Sequence, residues 1–308
     1  MMFNTTSTDI DFRDIVVREI EKEEMLRLLY KYHCLKYLPV HNDFFLGAHI
    51  DDGLVGGISL GWGVRPRHTI QKLFSSLDTE DYRAIGRLVT LDEMPRNTES
   101  HFLSKVMSYI DSNYPQFKLI FTWSDGMLGK AGYVYQAANF YYGGYIWTDV
   151  YFTDKGEKVH PRQTDRIDGR PSWEELKELG WDHYKGKMFR YIYFLCNKGE
   201  QKRLLRESEY DWSQSNYPKE EDIEWKKRTE DGWIETDEPD YEPEVLEYND
   251  KKKEKVEWFR NHPPLENFTT SAYAGEVSRA RRSAIQQGEF GAVPNSRISI
   301  PLVSSVIG

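Results

Sequence analysis

The sequence is poor in cysteine, and this scarcity excludes two classes of site. Only Cys34 and Cys196 occur in 308 residues, and both lie in apolar stretches far apart along the chain. A disulfide scaffold or a thiolate zinc cluster needs more cysteines at closer spacing. We therefore predict two small buried side chains in a protein of a reducing, cytosolic compartment.

Long apolar runs are also absent. No window approaches the ~20 apolar residues that a membrane-spanning helix requires. The first residues, MMFNTTSTDIDFRD, have neither the basic nor the apolar part of a secretory signal. The eight histidines show no spacing typical of metal ligands. We expect no membrane partner, no secretory signal and no metal site.

Charge is unevenly distributed along the chain, whose net charge is −9. Residues 220–250 hold fourteen acidic and three basic residues, so the remainder is close to neutral. We interpret 220–250 as an acidic linker, extended or disordered. Residues 251–308 contain two short basic helix candidates and an apolar terminus, which is typical of an interaction tail. The near-neutral remainder leaves nucleic-acid binding open, because local patches bind phosphates.

Residues 1–219 alternate apolar strands with amphipathic helices. Strands at 42–50 and 53–63 flank the hairpin signal Asp-Asp-Gly, and a helix is predicted at 97–113. Further strands are predicted at 86–91, 118–123 and 187–196, and a further helix is predicted at 129–139. This order predicts an α/β domain with a central mixed sheet and helices on both faces.

The segment 118–144, KLIFTWSDGMLGKAGYVYQAANFYYGG, carries the strongest functional signal. Together with RLVTLDEMPRNTES at 87–100 and RYIYFL at 190–195, it resembles the Mom family of phage DNA-modification proteins. That family shares the GNAT acyltransferase fold, and the resemblance covers about residues 10–219. It implies that a carbamoylmethyl group is added to the exocyclic amine of adenine in double-stranded DNA. It also implies action in the host cytoplasm and escape of the modified DNA from host restriction.

The resemblance assigns a catalytic site. It places Arg87, Asp125 and Tyr135 there, with Ser124 and Asn139 beside them as residues that contact a cofactor. Open α/β sheets bind ligands where strands end. An acid at such a strand end fits a base that takes a proton from an amine, and Arg87 fits a carboxylate or phosphate. The alternative for Asp125 is an ordinary turn acid before a glycine, and for Arg87 a structural ion pair.

Tyrosines beside this site are candidates for binding the target base. Tyr133, Tyr141 and Tyr142 are predicted to stack an extruded base, since enzymes that act on bases take them out of the stack. Packing within a helix is the alternative reading for Tyr133.

The group donor stays open. GNAT acyltransferases hold a pyrophosphate at a glycine-rich turn before a helix. Here the corresponding turn, MPRNTES at 94–100, has no glycine, contains a proline and carries Glu99. An acyl-CoA donor is therefore not favoured, and the cofactor is left unknown.

Two other functions fit the same sequence. The chain could be a virion-associated protein that reuses the acyltransferase fold and binds phage structural proteins through residues 251–308. It could also be a conventional acetyltransferase. The first alternative is motivated by the tail, and the second by the fold alone.

Overall fold

The computed structural model describes residues 11–33, 38–39, 41–63, 66–156, 158–159 and 172–239. The side chains of 66–69 and 158 are not among those described. Cys34 and the predicted tail at 251–308 lie outside these ranges. Within them, the helices are α1 (Lys22–Tyr32), α2 (Pro66–Leu73), α3 (Thr98–Asn113), α4 (Tyr133–Ala137), α5 (Trp173–Glu178) and α6 (Lys198–Glu207). The strands are β1 (Val16–Glu19), β2 (Asn42–Ile50), β3 (Gly53–Gly61), β4 (Tyr82–Thr90), β5 (Leu119–Asp125), β6 (Tyr141–Phe152), β7 (Lys158–Val159), β8 (Asp182–Phe194), β9 (Trp225–Thr229) and β10 (Gly232–Thr236).

The ten described strands form one mixed sheet in the order β1-β2-β3-β4-β5-β8-β6-β7, with β9 on β8 and β10 on β9. All pairs are antiparallel except β4 with β5. The predicted hairpin is confirmed as β2 and β3, joined at Asp51, whose φ is 52°. The mixed α/β sheet with helices on both faces is confirmed.

The parallel strands β4 and β5 pair along only part of their length. Pairing covers Tyr82–Ala84 of β4 and Leu119–Phe121 of β5. Beyond it, β4 stays paired with β3 as far as Thr90, and β5 stays paired with β8 as far as Asp125. Because each strand follows its outer neighbour, a gap opens between their carboxyl ends.

A β-bulge in β4 lies at the start of this gap. The register between β3 and β4 shifts between Ile85 and Arg87, so Gly86 is the extra residue. The side-chain amide of Asn42 occupies the space that a Cβ at position 86 would need. Bulges bend a strand and change the direction of the next side chain. Gly86 therefore sets where Arg87 points.

The hydrophobic core lies on both faces of the sheet. The larger cluster packs one face against α1 and α3, through fully buried side chains such as Leu28 and Phe102. The smaller cluster packs the other face against α2 and α6, through Ile70 and Leu204. Cys196 is half-buried at the edge of the second cluster, and burial raises the pKa of its thiol.

The helix predicted at 129–139 is shorter than expected. A 3₁₀ turn covers Gly126–Leu128, and α4 spans only Tyr133–Ala137. Between them, Gly129 and Gly132 have φ values of 65° and 93°. This left-handed conformation is not helical, and glycine adopts it readily. The two glycines therefore delay the start of the helix.

The interpretation of 220–250 as an extended linker is wrong for its first part. Residues 225–236 form the hairpin β9–β10, and β9 pairs with Tyr184–Gly186 of β8. The turn ends at Gly232, whose φ is 120°. The excess of acids concealed two strand-like runs, WKKRT and GWIET, on either side of an Asp-Gly turn. Residues 240–250 lie outside the described ranges.

Candidate active site

Two of the predicted catalytic residues meet at the gap between β4 and β5. Arg87 lies on β4 past its last pairing with β5, and Tyr135 lies on α4. Burial raises the pKa of the Tyr135 phenol, and a hydrogen bond with Thr122 lowers it. The charge of Glu99 raises this pKa, and the charge of Arg87 lowers it. We call Arg87, Glu99, Thr122 and Tyr135 the cleft cluster.

Packing holds the polar groups of the cleft cluster in place. The Tyr135 ring lies 5.4 Å from the ring centroid of Tyr191 and 5.5 Å from that of Phe140. The Arg87 Nη1 donates a hydrogen bond to the Gly86 carbonyl at 2.7 Å. Because burial is the largest influence on the Tyr135 pKa, the phenol stays protonated at neutral pH and is a hydrogen-bond donor.

Glu99 lies in the first turn of α3, at one side of the gap. The surrounding protein raises the pKa of its carboxyl, and the charge of Lys130 lowers it, although the residue keeps an exposed surface. A carboxyl whose pKa is raised can exchange protons closer to neutral pH than an ordinary glutamate. Glu99 is therefore a titratable group of the site.

Asp125 and Ser124 build the turn that follows β5. The Asp125 Oδ1 accepts a hydrogen bond from the Met127 amide at 2.9 Å, and the Ser124 hydroxyl donates to the Lys130 carbonyl at 2.8 Å. Side chains alternate between faces along a strand, so Asp125 points to the face opposite Thr122. The predicted catalytic residues thus flank the gap from both faces, with Arg87 and Tyr135 together and Asp125 apart.

The three tyrosines predicted to stack a base lie in separate environments. Tyr133 is 53% exposed at the start of α4. Tyr141 packs with the smaller core cluster, and its hydroxyl accepts a hydrogen bond from Gln201 at 2.7 Å. Tyr142 packs with the larger cluster, and burial raises its pKa to about 12. Tyr133 is the most exposed of the three.

Asn139 has a backbone role in the structure. Its φ is 61°, which is the left-handed conformation that asparagine tolerates best after glycine. Its carbonyl accepts a hydrogen bond from Gln214 at 2.6 Å. The residue ends α4 and turns the chain into β6.

The start of α3 differs from a glycine-rich phosphate loop. Asn97 takes a φ of 74°, the conformation that a glycine would otherwise supply. The Thr98 hydroxyl donates to the Pro95 carbonyl at 2.6 Å, and the neighbouring Glu99 brings a carboxylate to the first turn. The turn thus presents negative charge to an incoming pyrophosphate. These residues do not fit an acyl-CoA donor.

Sequence reasoning missed Thr122 and Lys130 and took Glu99 only as a source of repulsion. Thr122 is 2% exposed, so it is a polar side chain buried in the apolar run KLIFTW. That interruption was the available signal, because buried hydroxyls need hydrogen-bond partners. Lys130 gave no comparable signal. Among the described residues, no group of three His, Cys, Asp or Glu side chains is arranged to hold a metal ion.

None of the described helices is long and apolar enough to cross a membrane.

Known proteins similar to this chain were found by sequence and by structure. The sequence model of the Mom protein family matches residues 14–219. The methylcarbamoylase Mom of Escherichia phage Mu is 33% identical over 170 residues, which are 54% of this chain and 69% of that protein.

Solved structures with partial similarity are acetyltransferases. Spermidine N-acetyltransferase from Vibrio cholerae, in complex with CoA and spermine, has a TM-score of 0.33 at 10% identity and covers 59% of this chain and 96% of its own. Arabidopsis thaliana NAA60, in complex with acetyl-CoA, has a TM-score of 0.36 at 12% identity and covers 58% of this chain and 99% of its own.

Proposed function

The chain belongs to the Mom protein family, a family of phage DNA-modification proteins, and on that premise we propose that it transfers a carbamoylmethyl group to the exocyclic amine of adenine. The proposed substrate is double-stranded phage DNA in the host cytoplasm. The observation that carries the proposal is the gap between β4 and β5, flanked by Arg87, Tyr135 and Asp125, within the matched residues 14–219.

The reaction needs a proton acceptor next to the adenine amine. A bond forms between the amine nitrogen and the methylene carbon of the group, and the donor's leaving group departs with the electron pair. One N–H bond breaks, and its proton passes to the Asp125 carboxylate. The Met127 amide holds one oxygen of this carboxylate. The second oxygen makes no hydrogen bond to the described residues and is available to accept the proton.

Arg87 and Tyr135 orient the group that is transferred. The carbamoyl oxygen accepts hydrogen bonds, and a buried phenol that stays protonated is a suitable donor to it. Arg87 stabilises the negative charge that the leaving group takes with the electron pair. The hydrogen bond with Thr122 keeps the phenol in position, and the charge of Glu99 favours its protonated form.

An adenine inside a duplex cannot reach a gap in a sheet. The base has to leave the stack, which costs a few kcal/mol of unstacking and unpairing free energy. Tyr133, with its exposed ring at the edge of the site, is the proposed stacking partner. The nearby Lys219 Nζ lies 5.8 Å from the centre of this ring.

The test is mass spectrometry of nucleosides from plasmid DNA of cells that express the full chain. We expect a deoxyadenosine adduct with the added mass of a carbamoylmethyl group, and resistance of the DNA to restriction enzymes that are blocked by adenine modification. Tyr135→Phe should lower the adduct at least tenfold. Tyr217→Phe is the matched control, because Tyr217 is a half-buried tyrosine whose hydroxyl donates to the Phe140 carbonyl.

The absence of any adenine adduct with the wild-type chain would overturn the proposal. An adduct of a different mass would support DNA as the substrate but contradict carbamoylmethyl as the transferred group. The virion-associated alternative depends on residues 251–308, outside the described ranges, and no described contact favours it.

A further inference from the structure

The hairpin β9–β10 adds a surface of basic and aromatic side chains to the sheet. The Lys185 Nζ lies 4.0 Å from the ring centre of Trp233 and 5.4 Å from that of Trp147. The Lys226 Nζ lies 4.9 Å from the Trp147 centre. A third cation, Arg228, lies 5.3 Å from the Trp173 ring centre. We call Lys185, Lys226 and Arg228, with Trp147, Trp173 and Trp233, the cation–aromatic face.

Two features of the cation–aromatic face are unusual for a surface with a purely structural role. Lys185 and Lys226 lie directly opposite each other in the pairing of β8 with β9. Like charges in that position destabilise a sheet by a few tenths of a kcal/mol or more. The rings also restrict the long lysine side chains. These side chains therefore lose less conformational entropy when an anion binds.

Acidic neighbours neutralise this surface only in part. Asp149 lies opposite Lys185 on β6, but its Oδ1 is 3.1 Å from the His183 Nε2. Glu235 lies 3.9 Å from Lys226, and its side chain is 80% exposed. An exposed ion pair at that distance contributes little and is screened by salt. Binding sites for a polyanion therefore remain on the face.

The cation–aromatic face lies where the gap opens. Asp125, the last residue of β5, pairs with Met188 of β8. Lys185 is three residues further along β8, about 10 Å at the rise of a strand. Just past β10, the carboxylate of Glu238 lies 3.7 Å from the position of a Cβ on Gly129, so the chain that leaves the hairpin borders the turn after β5.

We propose that the cation–aromatic face binds the phosphate backbone of the duplex that flanks the target adenine. The inference rests on the proposed function for the identity of the substrate. β9 and β10, which carry Lys226, Arg228 and Trp233, lie outside the family match at 14–219, whereas Lys185, Trp147 and Trp173 lie within it. The contacts are to phosphate, so they position DNA without reading its sequence.

The test is the salt dependence of duplex binding by the full chain, measured by fluorescence anisotropy with a labelled 30-base-pair DNA. Replacing Lys185, Lys226 and Arg228 together by Gln should weaken binding about tenfold or more at low salt. It should also lower the slope of log K against log salt by about 2 to 3, since each phosphate contact contributes about 0.9. The loss should be the same for duplexes of different sequence.

The matched control replaces Lys198, Lys202 and Arg206 on α6 by Gln, which removes the same charges from exposed positions elsewhere. An equal loss in this control, or an unchanged slope in the first variant, would overturn the inference. A loss confined to single-stranded DNA, or an equal loss for poly-glutamate, would overturn duplex DNA as the occupant. Both variants are first compared with the wild type for thermal unfolding.

Adduct formation separates this inference from the proposed function. At limiting protein, the triple variant should form less adenine adduct than the wild type, whereas the α6 control variant should form it at the wild-type level, because it leaves both the cleft cluster and the cation–aromatic face intact. A wild-type chain that binds through the face but forms no adduct would contradict the proposed function alone. A wild-type chain that forms the adduct, with a triple variant that binds normally, would contradict the inference alone.

Discussion

The cleft cluster and the cation–aromatic face use charged side chains in opposite ways. In the cleft cluster, Glu99 and Arg87 act on one buried phenol, and burial raises the pKa of that phenol. On the face, the lysine amines lie over tryptophan rings near the surface. The first arrangement suits a proton or a small group. The second suits a long polyanion, whose affinity depends on the number of charges.

The largest expected difference is between the effects of replacing the two carboxylates of the site, Asp125 and Glu99, on the rate of adduct formation. Asp125→Asn should lower the rate of adduct formation about 100-fold or more, since general base catalysis contributes 10²–10⁴-fold. The amide oxygen of Asn can still accept from the Met127 amide, so unfolding should change little. Glu99→Gln should lower the rate less than tenfold.

The pH dependence of the same rate sharpens this comparison. The pKa of the Glu99 carboxyl is raised from 4.5, so its ionisation occurs at a higher pH than that of an ordinary glutamate. If the wild-type rate rises with pH as Glu99 ionises, above the pKa of an ordinary glutamate, this rise should be absent in Glu99→Gln. A rate in Asp125→Asn equal to that of the wild type would contradict the assignment of the base.

A glycine beside the cleft cluster provides the next largest effect, this time on stability. A Cβ on Gly132 would lie 2.6 Å from the Tyr191 ring, and the φ of Gly132 is 93°. Gly132→Ala should lower the free energy of unfolding by about 2 to 3 kcal/mol through strain and overpacking. The measurement is denaturant unfolding.

Gly144→Ala is the control for that variant. Gly144 has a φ of 80° but no atom within 4 Å of its missing Cβ, so the strain remains without the clash. We expect a loss of about 1 kcal/mol. Equal losses in the two variants would show that contact with the Tyr191 ring has no energetic weight.

The junction between the two regions provides the smallest effect. The buried Lys187 Nζ donates to the Asp222 carbonyl at 2.9 Å and pairs with Glu224 at 2.5 Å. Lys187→Met should cost about 1 kcal/mol, less than a fully buried pair, because Glu224 is 41% exposed. Amide hydrogen exchange should accelerate in 225–236 and stay unchanged in β5. Acceleration in both would mean that the hairpin and the cleft unfold as one unit.

Much of the sheet could be predicted from local patterns. The hairpin at 42–63 and the helix at 97–113 have strong periodicity and clear turns, so their positions were close to those observed. The helix at 129–139 was predicted too long, because Gly129 and Gly132 have positive φ angles, and Gly132 packs closely against Tyr191 of β8. The hairpin at 225–236 was not predicted, because the many acidic residues of 220–250 indicated a linker and concealed the strand-like runs WKKRT and GWIET.

The sequence predicts the positions of the site residues only where they lie at the end of a predicted strand. Asp125 at the end of β5 followed from the run KLIFTWSD. The influence of the Glu99 charge on the Tyr135 pKa, by contrast, depends on how α3 and α4 pack over the gap, and the sequence separation of the two residues contains no information about it. Local signals located the groups, and tertiary packing determined which of them interact.

The pairing of β9 with Tyr184–Gly186 has a practical consequence for protein production. A fragment that stops at residue 219, where the family match ends, would lose the strand that covers this stretch of β8. Bare strand edges with aromatic neighbours promote self-association. Recombinant versions should therefore continue at least to residue 239, and shorter ones should precipitate or form oligomers.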